Sequence, residues 1–163
     1  MNKLLAVDGN SLLYRSFFAL PEMNSEEGVP TNAVYGFLNM LLKMLSEERP
    51  SHVLIAFDEH GPTFRHKVFG EYKAGRPETP ESLRTQMTLA RELLGQMGVA
   101  TVSKPGLEAD DMLGIYSRRA GEAGMEAVLV TGDRDALQLV DGHTSVVLTK
   151  KGITETVRLT AGN

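Results

Sequence analysis

Short apolar runs alternate with longer amphipathic stretches along the chain. Residues 4–7, 53–57, 99–102 and 127–130 are brief and continuously apolar, as expected of strands buried on both faces, and 146–148 is a weaker fifth run. Between them, apolar positions recur every three or four residues. Residues 10–18 predict a short first helix. Residues 31–48 carry Val34, Phe37, Leu38, Leu41, Leu42 and Leu45 on one stripe, with Met40 and Met44 as core filler and Thr31 placed to cap the helix. Residues 80–97 carry Leu83, Met87, Ala90, Leu93 and Leu94, and Gly98 provides the stop. Residues 108–120 and 134–140 predict two more helices. Strands alternating with helices give an α/β fold in three layers, a central, mainly parallel sheet with helices on both faces. Only residues 60–80, rich in Gly, Pro and basic side chains, break the alternation, and long irregular segments tend to carry function.

Composition narrows the chemistry. With 163 residues, 42% hydrophobic and 23% charged, the chain makes one ordinary domain with a packed core. There is no cysteine, which excludes disulfides and thiolate metal sites and leaves Asp, Glu and His to hold any metal. The four histidines are scattered without metal-ligand spacing, and His52, just ahead of a strand, reads as structural. A GxxxxGK phosphate loop is absent, which argues against an ATPase. The apolar start at 4–7 runs into Asp8, too short for a signal peptide, and no run is long enough for a transmembrane helix. A cytoplasmic protein without a membrane partner is the expectation. Nothing in the pattern predicts an oligomer.

The informative acids lie where strands end. Val7-Asp8-Gly9, Phe57-Asp58 and Val130-Thr131-Gly132-Asp133-Arg134-Asp135 each close a predicted strand, and Glu108, Asp110 and Asp111 open the helix after a fourth. In an open α/β sheet the carboxyl ends of parallel strands line one edge, and ligands bind there. Seven carboxylates (Asp8, Asp58, Glu108, Asp110, Asp111, Asp133 and Asp135) would therefore converge and repel. A cation relieves that, and oxygen ligands point to Mg²⁺ or Mn²⁺. Two such ions about 3.5–4 Å apart are the usual device for in-line phosphodiester hydrolysis. Against this stands capping. A lone Asp at a strand end or helix start is more often a cap than a ligand, and acids favour a first helical turn through the dipole. Four acidic clusters at one edge exceed what capping requires.

Charge is unevenly spread. The net charge of −4 hides a segment, residues 61–91, with six basic and three acidic residues, so that it carries +3 and the remainder −7. Cations beside an acidic edge suit a phosphodiester substrate, and Phe69 and Tyr72 could stack on unpaired bases. Taken alone, such a run is more often a solvated loop and helix face. Tyr14 reads as core, and Arg15 as facing the site.

These motifs together resemble the 5′–3′ exonuclease / flap endonuclease family, in the form that precedes a DNA polymerase region in bacteria. The matching stretches are Val7-Asp8-Gly9-Asn10 with Tyr14-Arg15, Ala56-Phe57-Asp58, Phe64-Arg65-His66, Tyr72-Lys73-Ala74-Gly75-Arg76, Gly106-Leu107-Glu108-Ala109-Asp110-Asp111 and Thr131-Gly132-Asp133-Arg134-Asp135-Ala136-Leu137-Gln138-Leu139. The last two are the specific ones. The resemblance implies a PIN-like fold and a metal-dependent enzyme cutting DNA at a 5′ end or 5′ flap in primer removal and repair. It implies that the seven carboxylates hold Mg²⁺ or Mn²⁺, two ions in the complete enzyme. It places Arg65, Lys73 and Arg76 in a helical arch at about 60–97, with Lys73 and Arg76 at the scissile phosphate, Tyr72 on a base and Arg15 on the substrate. Family members continue into a helix–three-turn–helix region that adds aspartates. Nothing here matches it, so weak or no cleavage by this chain alone is expected. The competing expectations are a PIN-like ribonuclease, an α/β domain phosphorylated on one Asp, and a non-catalytic α/β binding domain. The Asp-phosphorylating case is weakened because Asp58-Glu59-His60 is not an Asp-x-Asp.

Overall fold

The computed structural model describes residues 2–58, 79–150 and 155–162. The elements are β1 (Lys3–Asp8), α1 (Gly9–Ala19), α2 (Asn32–Glu48), β2 (His52–Ala56), α3 (Glu81–Met97), β3 (Ala100–Val102), α4 (Ala109–Glu122), β4 (Glu126–Thr131), a 3₁₀ helix (Arg134–Leu139), β5 (Thr144–Thr149) and β6 (Thr156–Leu159). The strands lie in the order β3-β2-β1-β4-β5-β6. All neighbours are parallel except β5 and β6.

Strand alternation divides the core. Leu5, Val7, Ile55, Phe57, Val128 and Val130 point to one face, where α1, α2 and α3 bring Leu12, Phe37, Met44, Leu83 and Leu94. Leu4, Ala6, Leu54, Ala127 and Leu129 point to the other, covered by Met112 and Leu113 of α4. Covering both faces makes the runs continuously apolar, and each large side chain so buried contributes about 1.5–3 kcal/mol. The expected three-layer α/β architecture is the one observed.

Some local expectations are corrected. Thr31 occupies the cap position of α2, but its side chain makes no capping bond. Gln86 of α3 does that work instead, its Oε1 accepting from Ala33 N–H at 2.6 Å and Val34 N–H at 3.1 Å. Leu42 is 55% exposed and Tyr14 51% exposed, so neither is core. Tyr14 shares the outer face of α1 with Phe18, one turn on, and their rings lie 4.8 Å apart. Residues 134–139 form a 3₁₀ rather than an α-helix, with i→i+3 bonds such as Ala136 N–H to the Asp133 carbonyl at 3.3 Å. The antiparallel β6 has too few apolar residues to show as a run. Glu48 at the end of α2 ties it down, pairing with Lys3 of β1 at 3.3 Å and with Arg158 of β6.

Candidate metal centre

The strand order reverses between β1 and β4: the chain works outward from β1 on one side, then returns to start the other half beside it. The crevice at the carboxyl ends of those two strands is the topological switch point, where ligands of open α/β sheets sit. Asp8 ends β1 there, and Thr131-Gly132-Asp133 leaves β4 beside it.

Asp8 is 5% exposed and caps α1. Its Oδ1 accepts from Ser11 N–H at 3.0 Å, and its Oδ2 from the Thr131 hydroxyl at 3.0 Å. Burial nonetheless pushes its pKa up to about 7, with the nearby charges of Asp58 and Asp110 adding to the rise. Gly9, the next residue, packs so tightly that a Cβ there would stand 2.6 Å from the Phe57 ring. Ser11 and Thr131 complete the local frame. Their hydroxyls lie 3.2 Å apart, Ser11 Oγ accepts from Gly132 N–H at 2.9 Å, and Thr131 Oγ1 accepts from Asp133 N–H at 3.1 Å.

Asp58 follows β2. Its N–H donates to Asn10 Oδ1 at 2.7 Å, and its Oδ1 accepts from Ala109 N–H, the first amide of α4, at 2.7 Å. Glu108, Asp110 and Asp111 sit at the start of α4, with a carboxylate oxygen from each within 4.8 Å of the others. Asp111 Oδ2 also accepts from Glu108 N–H at 2.9 Å. Asp8, Asp58, Glu108, Asp110 and Asp111 thus come from three loops to one neighbourhood. Their donors are all oxygen, the set that suits a hard divalent cation.

Asp133 and Asp135 are not part of that 4.8 Å triad. Asp133 caps the 3₁₀ helix, accepting from Asp135 N–H at 2.8 Å. Beside them a cleft of about 760 Å³ is lined by Ser11, Tyr14, Arg15, Phe18, Gly132, Asp133 and Arg134. Arg15 is held there by main-chain carbonyls, those of Lys150 and, at 3.4 Å, Gly132. Arg65, Tyr72, Lys73 and Arg76 lie outside the described residues, as does the first half of the expected arch. Capping and clustering prove compatible here, since Asp8, Asp58, Asp111 and Asp133 each accept a main-chain N–H at or near a helix start. Sequence reasoning missed Ser11 and Thr131 as partners of Asp8. The one signal was their place within three residues of Asp8 and Asp133, at the ends of β1 and β4.

The fold and this acidic edge define a PIN-like α/β domain. The family described as "5'-3' exonuclease, N-terminal resolvase-like domain" matches residues 3–161, and the chain belongs to that family. It is 48% identical over 153 residues to DNA polymerase I of Bacillus caldotenax, covering 94% of this chain and 17% of that protein. To DNA polymerase I of Mycobacterium tuberculosis it is 44% identical over 159 residues, covering 96% of this chain and 18% of that one. The chain therefore spans less than a fifth of the length of these curated relatives. Among solved structures, the T5 D15 protein co-crystallised with metal ions superposes with a TM-score of 0.69 at 20% identity, over 89% of this chain and 53% of that one. The catalytic core of Rad2 in complex with DNA substrate superposes with a TM-score of 0.57 at 18% identity, over 96% of this chain and 46% of that one.

Proposed function

We propose that this chain is the metal-binding part of a 5′–3′ exonuclease and 5′ flap endonuclease that hydrolyses DNA phosphodiester bonds. The observation that carries the reading is the crowding of oxygen donors at the switch point: Glu108, Asp110 and Asp111 lie within 4.8 Å of one another, and Asp8, raised to about 7 chiefly by burial, is pushed further by the charges of Asp58 and Asp110. Membership of the family supports it. So does the relatedness to DNA polymerase I, which motivates a polymerase region in the same parent chain and a role in primer removal and repair.

In this reading Asp8, Asp58, Glu108, Asp110, Asp111, Asp133 and Asp135 hold Mg²⁺ or Mn²⁺, as two ions in the complete enzyme. The bound cations supply neutralisation of the crowded acids and of the scissile phosphate. The chain's own part is placement. Ser11 and Thr131 fix both oxygens of Asp8, and Ala109 N–H fixes one oxygen of Asp58. The acids thus meet a cation without first rearranging. Arg15, Arg65, Tyr72, Lys73 and Arg76 are assigned to the DNA, with Lys73 and Arg76 at the phosphate being cut. Placement in the cytoplasm follows the same reading. Among the described residues no helix is long and apolar enough to cross a membrane.

The test is a substrate panel of 5′-flap DNA, duplex DNA and single-stranded RNA, with Mg²⁺, with Mn²⁺ and with chelator. Cleavage confined to DNA, dependent on metal and lost in Asp110→Ala, is the expected result. Preferential cutting of the RNA would replace this reading with that of a PIN-like ribonuclease.

A further inference from the structure

Asp58 lies beyond the last residue of β2, so its own strand does not hold it. Phe57, just before it, is anchored to β3 through its N–H to the Val102 carbonyl at 2.9 Å. Asn10 takes the Asp58 N–H, and Ala109 N–H takes the carboxylate. Both of those partners sit in first helical turns at the acidic edge. A further contact comes from farther away. Arg91, midway along α3, donates from Nη2 to the Asp58 carbonyl at 2.8 Å. Its guanidinium lies 4.5 Å from the centre of the Phe57 ring. That ring is itself wedged against Gly9 and so against the residue following Asp8.

We propose that Arg91 is a positioning residue for the metal centre, locking the main chain at Asp58 so that its carboxylate stays on Ala109 N–H and faces the acidic triad. The proposal rests on the metal-binding reading above and adds to it a residue outside the acidic motifs. The chemistry favours arginine specifically. A planar guanidinium stacks on an aromatic face while its rigid fork donates from the edge to a carbonyl, whereas a flexible ammonium is not pre-organised to hold both contacts together. Outer partners that orient ligands are commonly worth about tenfold or more in metal affinity.

The experiment compares wild type, Arg91→Met and Arg91→Lys. Met keeps an apolar stem over Phe57 without the donor, and Lys keeps the charge without the plane. In metal-free protein, amide hydrogen exchange is followed at Ala109, with Met112 and Val130 as internal references. Both variants should lose protection at Ala109 while the references hold. Mn²⁺ titration should then show apparent affinity about tenfold weaker in Arg91→Met. Unchanged Ala109 exchange in Arg91→Met overturns the proposal. Equal loss at all three amides also overturns it, because Arg91 would then be a general stabiliser. So does full recovery in Arg91→Lys, since charge alone would suffice. If wild type takes up no Mn²⁺, the metal-binding reading fails, and Ala109 exchange still decides the role of Arg91.

Discussion

Asp8 holds its proton far above the range of an ordinary carboxylate, and the sign of the consequence follows. Its pKa rises from 3.8 to about 7 on folding without metal. Between those values the folded chain keeps a proton that the unfolded chain has released. Stability from this group is therefore full below about pH 4 and is lost as pH rises through about 7. Urea unfolding of metal-free protein at pH 5 and pH 8 should show the higher-pH sample less stable, by at most a few kcal/mol. Asp8→Asn should flatten that difference. Asparagine can still accept from Ser11 N–H, and the Thr131 hydroxyl can turn to accept from its amide, so the α1 cap survives. An unchanged pH dependence in Asp8→Asn would assign the slope to other groups. Individual residues were unevenly legible in the sequence. Asp8, Asp58 and the acids of 108–111 stood out because charge at a strand end is conspicuous. Ser11 and Arg91 did not, because nothing in a sequence shows which carboxylate a serine serves or which carbonyl an arginine reaches.

At the scale of elements, α1, α2 and α3 are clasped by two buried amides. Besides capping α2, Gln86 donates from Nε2 to Asn32 Oδ1 at 2.8 Å. Asn32 Nδ2 in turn donates to the Phe17 and Leu20 carbonyls, at 3.0 and 3.2 Å, at the end of α1. Such a satisfied network is costly to break, because each stranded buried group loses roughly 1–3 kcal/mol. Gln86→Leu should cost about 2–4 kcal/mol by urea denaturation. Thr31→Ala should stay within about 0.5 kcal/mol, although an ordinary helix cap is worth about 1. The reverse ranking would mean that Thr31, not Gln86, caps α2. Among the described residues, the five parallel strands and four α-helices were readable to within two residues or so, because each has an apolar period or run, the weakest being that of β5. Gly98 was readable as a stop and is left-handed at φ 77. What escaped depends on partners far along the chain. Gln86 looked like an ordinary polar helix position. The strand β6 is held by its pairing with β5 and by Glu48, not by its own composition.

For the molecule as a whole, the acidic edge should make stability metal-linked. Ligands that bind only the folded state raise its melting point by mass action. Wild type should gain with about 10 mM Mg²⁺ or Mn²⁺. Asp110→Ala should melt higher than wild type in chelator, being relieved of repulsion, and gain less from metal. Identical melting of both proteins with and without metal would reduce the acids to helix caps. The architecture was the most legible level, since alternation of element type almost dictates a covered parallel sheet. The order of its strands was not, because hydrophobic pattern says which faces are buried and nothing of which neighbour lies beside which.

That order has a consequence during synthesis. The central strand β1 pairs with β2 at residues 52–56, but its other flank waits for β4 at residues 127–130. A ribosome adding about 5–20 residues per second needs several seconds to pass from one to the other. For that interval the nascent chain presents the bare flank of Lys3–Asp8, an apolar edge that is buried in the finished sheet, to whatever lies outside the exit tunnel. Chaperone dependence of this domain in the cell should therefore concentrate on chains halted before β4, and fall away once residue 131 has emerged.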